Sequence, residues 1–287
     1  MILHDGTLMR DQSVFEGRRP IVIYDSGVGG LTVAKHVQLL FPKIDLLYVA
    51  DNGWYPYGNK AGGHVGSRAW SLINSLVESV QPLGIVVACN TASLAMHGIP
   101  GVNEAIPYVC VTPPIPQAVS LTKTGNISLL ATPSTISNVA VQNHVLKYFR
   151  DAKIWSIGAQ PLVDIVERKL ARELIGQVEI IEILDAVISS ADRDVVDVVI
   201  LGCTHFPHIK EELMAGFKNA VHWIDPAYEA AFKLKEFVDA GQVGSCSTPV
   251  RTLALTSPHK RDKLTAVFSA HGFGDSNAAA RPLAEIY

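Results

Sequence analysis

Ile85-Val86-Val87-Ala88-Cys89-Asn90-Thr91 and Val198-Val199-Ile200-Leu201-Gly202-Cys203-Thr204-His205 are two versions of one phrase. Each is an apolar, β-branched run, then a small residue, a cysteine and two polar residues. Continuous apolar runs of this length read as strands buried on both faces of a parallel sheet. The cysteine then falls at the strand's carboxyl end, where open α/β sheets hold ligands. Two such strands in two similar halves can bring two thiols to opposite faces of one ligand. That arrangement suits moving a proton from one face of a carbon to the other.

Working outward, strand-like and helix-like runs alternate. Ile21–Tyr24, Leu46–Ala50, Ile85–Ala88 and Tyr108–Val111 read as strands, with helices over Leu31–Phe41 and Ala69–Val80. Thr112-Pro113-Pro114-Ile115-Pro116 can continue neither element and reads as a crossover. A second series follows: strands Ile127–Ala131, Lys153–Ile157 and Val198–Leu201, with helices near Val139–Phe149 and within Val178–Ser190. Trp223–Pro226 reads as the return crossover, Tyr228–Ala240 as a helix and Thr252–Thr256 as a last strand. Alternation calls for parallel sheets covered by helices. The fold class is α/β: two similar doubly wound domains, with the active site in the cleft between them. The expected boundaries are a loosely ordered extension over 1–19, a first domain over 20–113 plus 225–287, and a second over 114–224.

The chain has 287 residues, 48% of them hydrophobic, enough for a sizeable core. A net charge of −3 leaves no electrostatic footprint for nucleic acid. No apolar run reaches the 18 residues of a membrane span. Residues 1–20 carry mixed charges and do not read as a signal peptide. The four cysteines, at 89, 110, 203 and 246, lack paired metal spacing. Reduced thiols in a cytoplasm are the expectation. A free cysteine most often packs as a small hydrophobe. That ordinary reading suits Cys110, inside a strand, and Cys246, in a loop. Cys89 and Cys203 differ because both occupy strand ends.

Asp25-Ser26-Gly27-Val28-Gly29-Gly30 joins a strand to a helix, so its backbone N–H groups can meet an anion. With Asp51 ending the next strand, it partly mimics a dinucleotide fingerprint. Thr32 at the third glycine position breaks that match, and Asp25 would repel a pyrophosphate. A small zwitterion fits better, its ammonium on Asp25. His205, two residues beyond Cys203, is placed to polarise that thiol. Asn90-Thr91 and Thr204-His205 either cap the following helices or bind substrate polar atoms. Glu167 sits on the largely apolar stretch Leu162–Glu167 and reads, by itself, either as a solvated helix start or as a site residue.

With these residues in hand, the chain resembles the glutamate racemases of the Asp/Glu racemase superfamily. The matching motifs are Asp25–Val33, Pro56-Tyr57-Gly58, Ala88–Ser93 and Gly202–Pro207, in family order. The resemblance implies two α/β domains, no cofactor, no metal, and interconversion of L- and D-glutamate for peptidoglycan and cell shape. By motif position Cys89 acts on D-glutamate and Cys203 on L-glutamate, assisted by Asp25, Asp51, Glu167 and His205. Asp25, Ser26, Pro56, Tyr57, Gly58, Asn90, Thr91, Thr132, Thr135, Thr204 and His205 line the substrate site. The resemblance extends to a homodimer and to a contact with DNA gyrase, which some members bind. Two departures stand out. Asn52-Gly53-Trp54 replaces a Thr and a nearby basic residue. Ala159-Gln160-Pro161-Leu162-Val163-Asp164 replaces a Cys-Pro start with a second Pro. Alternative readings are a racemase for aspartate or another amino acid, and a non-catalytic small-ligand-binding protein.

Overall fold

The strands form because β-branched runs pack well when both faces are covered, and here both faces are covered. The computed structural model describes residues 2–4, 7–9, 15, 17–97, 99, 106–220, 222–238 and 248–274. Its strands are β1 (Ile2–His4), β2 (Thr7–Met9), β3 (Ile21–Asp25), β4 (Leu46–Ala50), β5 (Gly84–Val87) and β6 (Tyr108–Cys110), then β7 (Asn126–Ala131), β8 (Lys153–Gly158), β9 (Val198–Leu201), β10 (His222–Ile224) and β11 (Arg251–Leu255). They build a seven-stranded sheet ordered β2-β1-β11-β4-β3-β5-β6 and a four-stranded sheet ordered β10-β9-β7-β8. Every pairing is parallel except the β1–β2 hairpin. That hairpin lies within residues 1–19. The chain leaves the larger sheet after β6 and returns to it at β11.

Alternation along each strand sends successive side chains to opposite faces. Ile21, Ile23, Leu46 and Tyr48 pack with Val37, Leu234 and Phe268, from helices Leu31–Leu40, Ala227–Phe237 and Arg261–Ala270. Val22, Tyr24, Leu47 and Val49 pack the other way, against Ala69, Ile73 and Leu76 of helix Gly62–Val80. The smaller sheet repeats the device. Leu130, Val199 and Leu201 meet Leu162 and Ile180, while Ile127, Leu129, Val198 and Ile200 meet Ala118 and Val141. Each fully buried Val, Leu or Ile contributes about 1.5–3 kcal/mol.

Three sequence expectations differ in detail. The crossover at Trp223–Pro226 contains β10, a three-residue edge strand too short to show periodicity. A helix, Ile115–Leu121, starts within the proline-rich crossover, because proline is tolerated in a first helical turn. Glu167 lies in the second half of helix Gln160–Leu170 rather than at a helix start. Cys246 and residues 275–287, the end of the expected first domain, lie outside the described residues.

Candidate active site

Both cysteines stand just past parallel strands. Cys89 follows β5 and is the N-cap of helix Asn90–Met96; Cys203 follows β9 by one residue. Both are buried and both line one cavity between the sheets. Ser26, Pro56, Tyr57, Gly58, Asn90, Thr91, Thr132, Thr204 and His205 line it too. Asp25, Glu167 and Thr135 stand immediately behind, each bonded to a lining residue. Strand order explains the convergence, since β3 and β5 are neighbours in one sheet and β7 and β9 in the other.

The two thiols have different surroundings. Cys89 Sγ lies 3.7 Å from Ser26 Oγ. Burial, with the negative charge of Asp25 adding to it, pushes the Cys89 thiol up to about 12. Cys203 Sγ lies 3.8 Å from His205 Nδ1, and His205 Nε2 lies 3.1 Å from Glu167 Oε1. Burial disfavours a charged His205, but its contacts with Cys203 and Glu167 outweigh that and hold its pKa well above the ordinary value. Cys203 therefore has beside it an imidazole whose charged form these contacts favour, oriented by a carboxylate. Gly29 makes room for this pair: a Cβ there would fall 2.5 Å from His205 Nδ1.

Asp25 is wholly buried and accepts from Gly27 N–H at 2.8 Å and from Thr204 Oγ1 at 3.2 Å. Burial raises its pKa despite the nearby His205 cation and these two bonds. The Thr204 bond ties the two halves together, as does Thr91 Oγ1 at 3.0 Å from Thr132 Oγ1. Asn90 brings both amide atoms to the cavity, buried and without a hydrogen-bond partner among the described residues. A polar ligand would satisfy them.

Asp51 does not line the cavity. It takes two bonds from Arg68, at 2.6 and 2.7 Å, one from Thr256 Oγ1 at 2.5 Å and one from the Tyr57 hydroxyl. Its side chain reaches the site through Tyr57, whose hydroxyl also meets Tyr24's at 2.6 Å. Arg68 lies over the Trp54 ring, 5.2 Å from its centroid. The cation lacking after Asp51 in sequence thus comes from helix Gly62–Val80.

Sequence reasoning missed three lining residues: Tyr55, Gln160 and Val163. Tyr55 adjoins a motif that was read, and Gln160 follows β8, so the strand-end rule that found the cysteines could have found it. Among the described residues lining the cavity there is no Lys or Arg. No group of three or more His, Cys, Asp or Glu among the described residues is placed to hold a metal.

The chain is similar to known proteins over most of its length. Residues 67–233 match the Asp/Glu/Hydantoin racemase family. A glutamate racemase from Sphingopyxis alaskensis is 32% identical over 255 residues, covering 89% of this chain and 95% of that protein. One from Vibrio cholerae is 30% identical over 263 residues, 92% of this chain and 97% of its own. Among solved structures, Escherichia coli glutamate racemase in complex with L-glutamate and the activator UDP-MurNAc-Ala superimposes with a TM-score of 0.77 at 28% identity, covering 90% of this chain and 97% of that one. The Francisella tularensis enzyme in complex with D-glutamate gives 0.72 at 27% identity, covering 88% and 93%.

Proposed function

The chain belongs to the Asp/Glu/Hydantoin racemase family, among its glutamate racemases, and from that premise we propose that it interconverts L- and D-glutamate with two thiols acting from opposite faces of the α-carbon. In this family the product serves peptidoglycan synthesis. The observation that carries the mechanism is the pairing of Cys89 and Cys203 on one cavity with unequal surroundings.

In the L-to-D direction Cys203 acts as thiolate, with the His205 imidazole 3.8 Å from its sulfur. Its sulfur takes the α-proton, the C–H bond breaks and the electron pair passes to the α-carbon and its carboxylate. Cys89, whose thiol form is favoured by burial, gives its proton to the opposite face. D-glutamate leaves a Cys203 thiol and a Cys89 thiolate, which exchange one proton with solvent before the next turnover. The reverse reaction starts from that second state. Asn90, Thr91 and Thr204 adjoin the cysteines and can donate to the α-carboxylate as its charge grows. Asp25 is the counter-charge for the ammonium. Enclosure between the two sheets strengthens each of these interactions.

No helix of the described residues is long and apolar enough to cross a membrane. A cytoplasmic location follows from the peptidoglycan role. A homodimer and a gyrase contact extend the same reading, and sedimentation and a supercoiling assay test them. The substrate test is racemisation of L-glutamate against L-aspartate by protein purified without added cofactor. Turnover of glutamate with little of aspartate is expected. Preference for aspartate would move the chain to another substrate class, and binding without turnover would make it a ligand-binding protein.

A further inference from the structure

We propose that Gln160 reads the distal carboxylate of the substrate and so sets which amino acid the cavity accepts. The inference rests on the racemase reading above and adds the residue that selects glutamate. Gln160 opens the helix Gln160–Leu170, directly beyond β8, and its side chain lines the cavity. Its amide oxygen is buried and has no hydrogen-bond partner among the described residues. A Cβ on Gly58 would collide with that oxygen and lie 2.8 Å from Thr132 Cβ. The Gln160 amide, Thr132 and the Gly58 backbone therefore meet at one place on the wall, and only glycine lets them do so.

A dicarboxylate presents two ends, and topology separates their stations. The α-carboxylate must lie beside both sulfurs, where Asn90 and Thr204 follow the cysteines in the chain. Gln160 comes just after β8, which is two strands from β9 in the order β10-β9-β7-β8. At roughly 4.8 Å per strand, its base is about 10 Å from the strand end that carries Cys203. The amide reaching back from there meets the far end of a bound ligand rather than its α-carbon. A glutamine amide can turn to present its NH2 as donor, and a carboxylate accepts it. The same helix start has no side-chain cap at Ala159, so its positive end favours an anion on this wall. With no Lys or Arg among the described lining residues, neutral donors of this kind carry the recognition. Aspartate, one methylene shorter, places its distal carboxylate short of Gln160.

The test compares wild type with Gln160→Glu and Gln160→Met. KM and kcat are measured for L-glutamate, and calorimetric binding for L-glutamate and L-aspartate. Melting temperatures check the fold. In Gln160→Glu a second carboxylate faces the substrate's own, and KM for glutamate should rise by about 30-fold or more. In Gln160→Met a hydrogen bond is lost at similar size, and KM should rise about three- to tenfold. In both, kcat should stay within about threefold, because the thiols are untouched. Aspartate binding should not change. A wild type that racemises glutamate, beside folded variants that keep its KM, would overturn the role of Gln160 alone. So would a fall in kcat at unchanged KM. A wild type that neither binds nor racemises glutamate would overturn the racemase reading and this proposal together.

Discussion

Asp25 carries a buried negative charge against the stability of its own fold. Its folded pKa is raised above 3.8, with burial the largest cause. A group shifted this way stabilises the fold below its unfolded pKa, and that contribution is lost as pH rises through the folded pKa. At neutral pH the wild type therefore bears the cost and an asparagine would not. Asn at position 25 can still accept from Gly27 N–H. Asp25→Asn should gain in melting temperature relative to wild type as pH rises from about 4 to 7, while kcat falls about 100-fold. Thermal melts across that pH range and steady-state rates check both. A variant less stable at pH 7, or one with near-normal kcat, would return Asp25 to a structural role in its turn. Residues of this kind were legible in sequence because they abut strand ends and glycines. Tyr55 and Gln160 stand beside such signals too, but neither residue type signals chemistry by itself, so only the facing of two sheets picks them out.

At the scale of elements, Asp51 shows how packing decides a role that a motif leaves open. Just past β4 and beside Asp25's strand, it could have faced a ligand. Instead four hydrogen bonds occupy its oxygens, and Arg68 from helix Gly62–Val80 is its cation. The result is a brace that runs from helix Gly62–Val80 through Asp51 to Tyr57 on the cavity wall. Removing one partner of a buried pair leaves an uncompensated charge, which costs about 3–5 kcal/mol. Arg68→Met should lose about that much in urea unfolding, and Asp51→Asn added to it should recover part of the loss. No recovery in the double variant would show that the loss is packing, not charge. The strands were legible because their runs are apolar and β-branched throughout. The basic partner was not, because it comes 17 positions later on a helix whose Gly-rich start hides its first turns.

For the whole molecule, two sheets of unequal size, seven strands and four, bring the carboxyl ends of β3, β5, β7, β8 and β9 to one cavity. The duplicated cysteine phrase pointed to a pair of α/β halves, and Thr252–Thr256 read as the strand found at β11, but β1 and β2 were not read. Those lie at one side of the larger sheet, where short runs carry little signal. Ligand held between the halves should stabilise both together. Glutamate at about 100 times its Kd should add about 2.7 kcal/mol to unfolding, read as a rise in melting temperature. The central claim is that two monoprotic thiols work from opposite faces, and racemisation in D2O stopped early tests it most directly. Starting from L-glutamate, the proton taken by Cys203 cannot be returned by Cys89. The D-glutamate formed should carry deuterium at the α-carbon while the remaining L-glutamate stays largely protiated, and starting from D-glutamate should give the mirror result. Early transfer of protium from substrate to product would contradict the account, since it requires a single base that serves both faces.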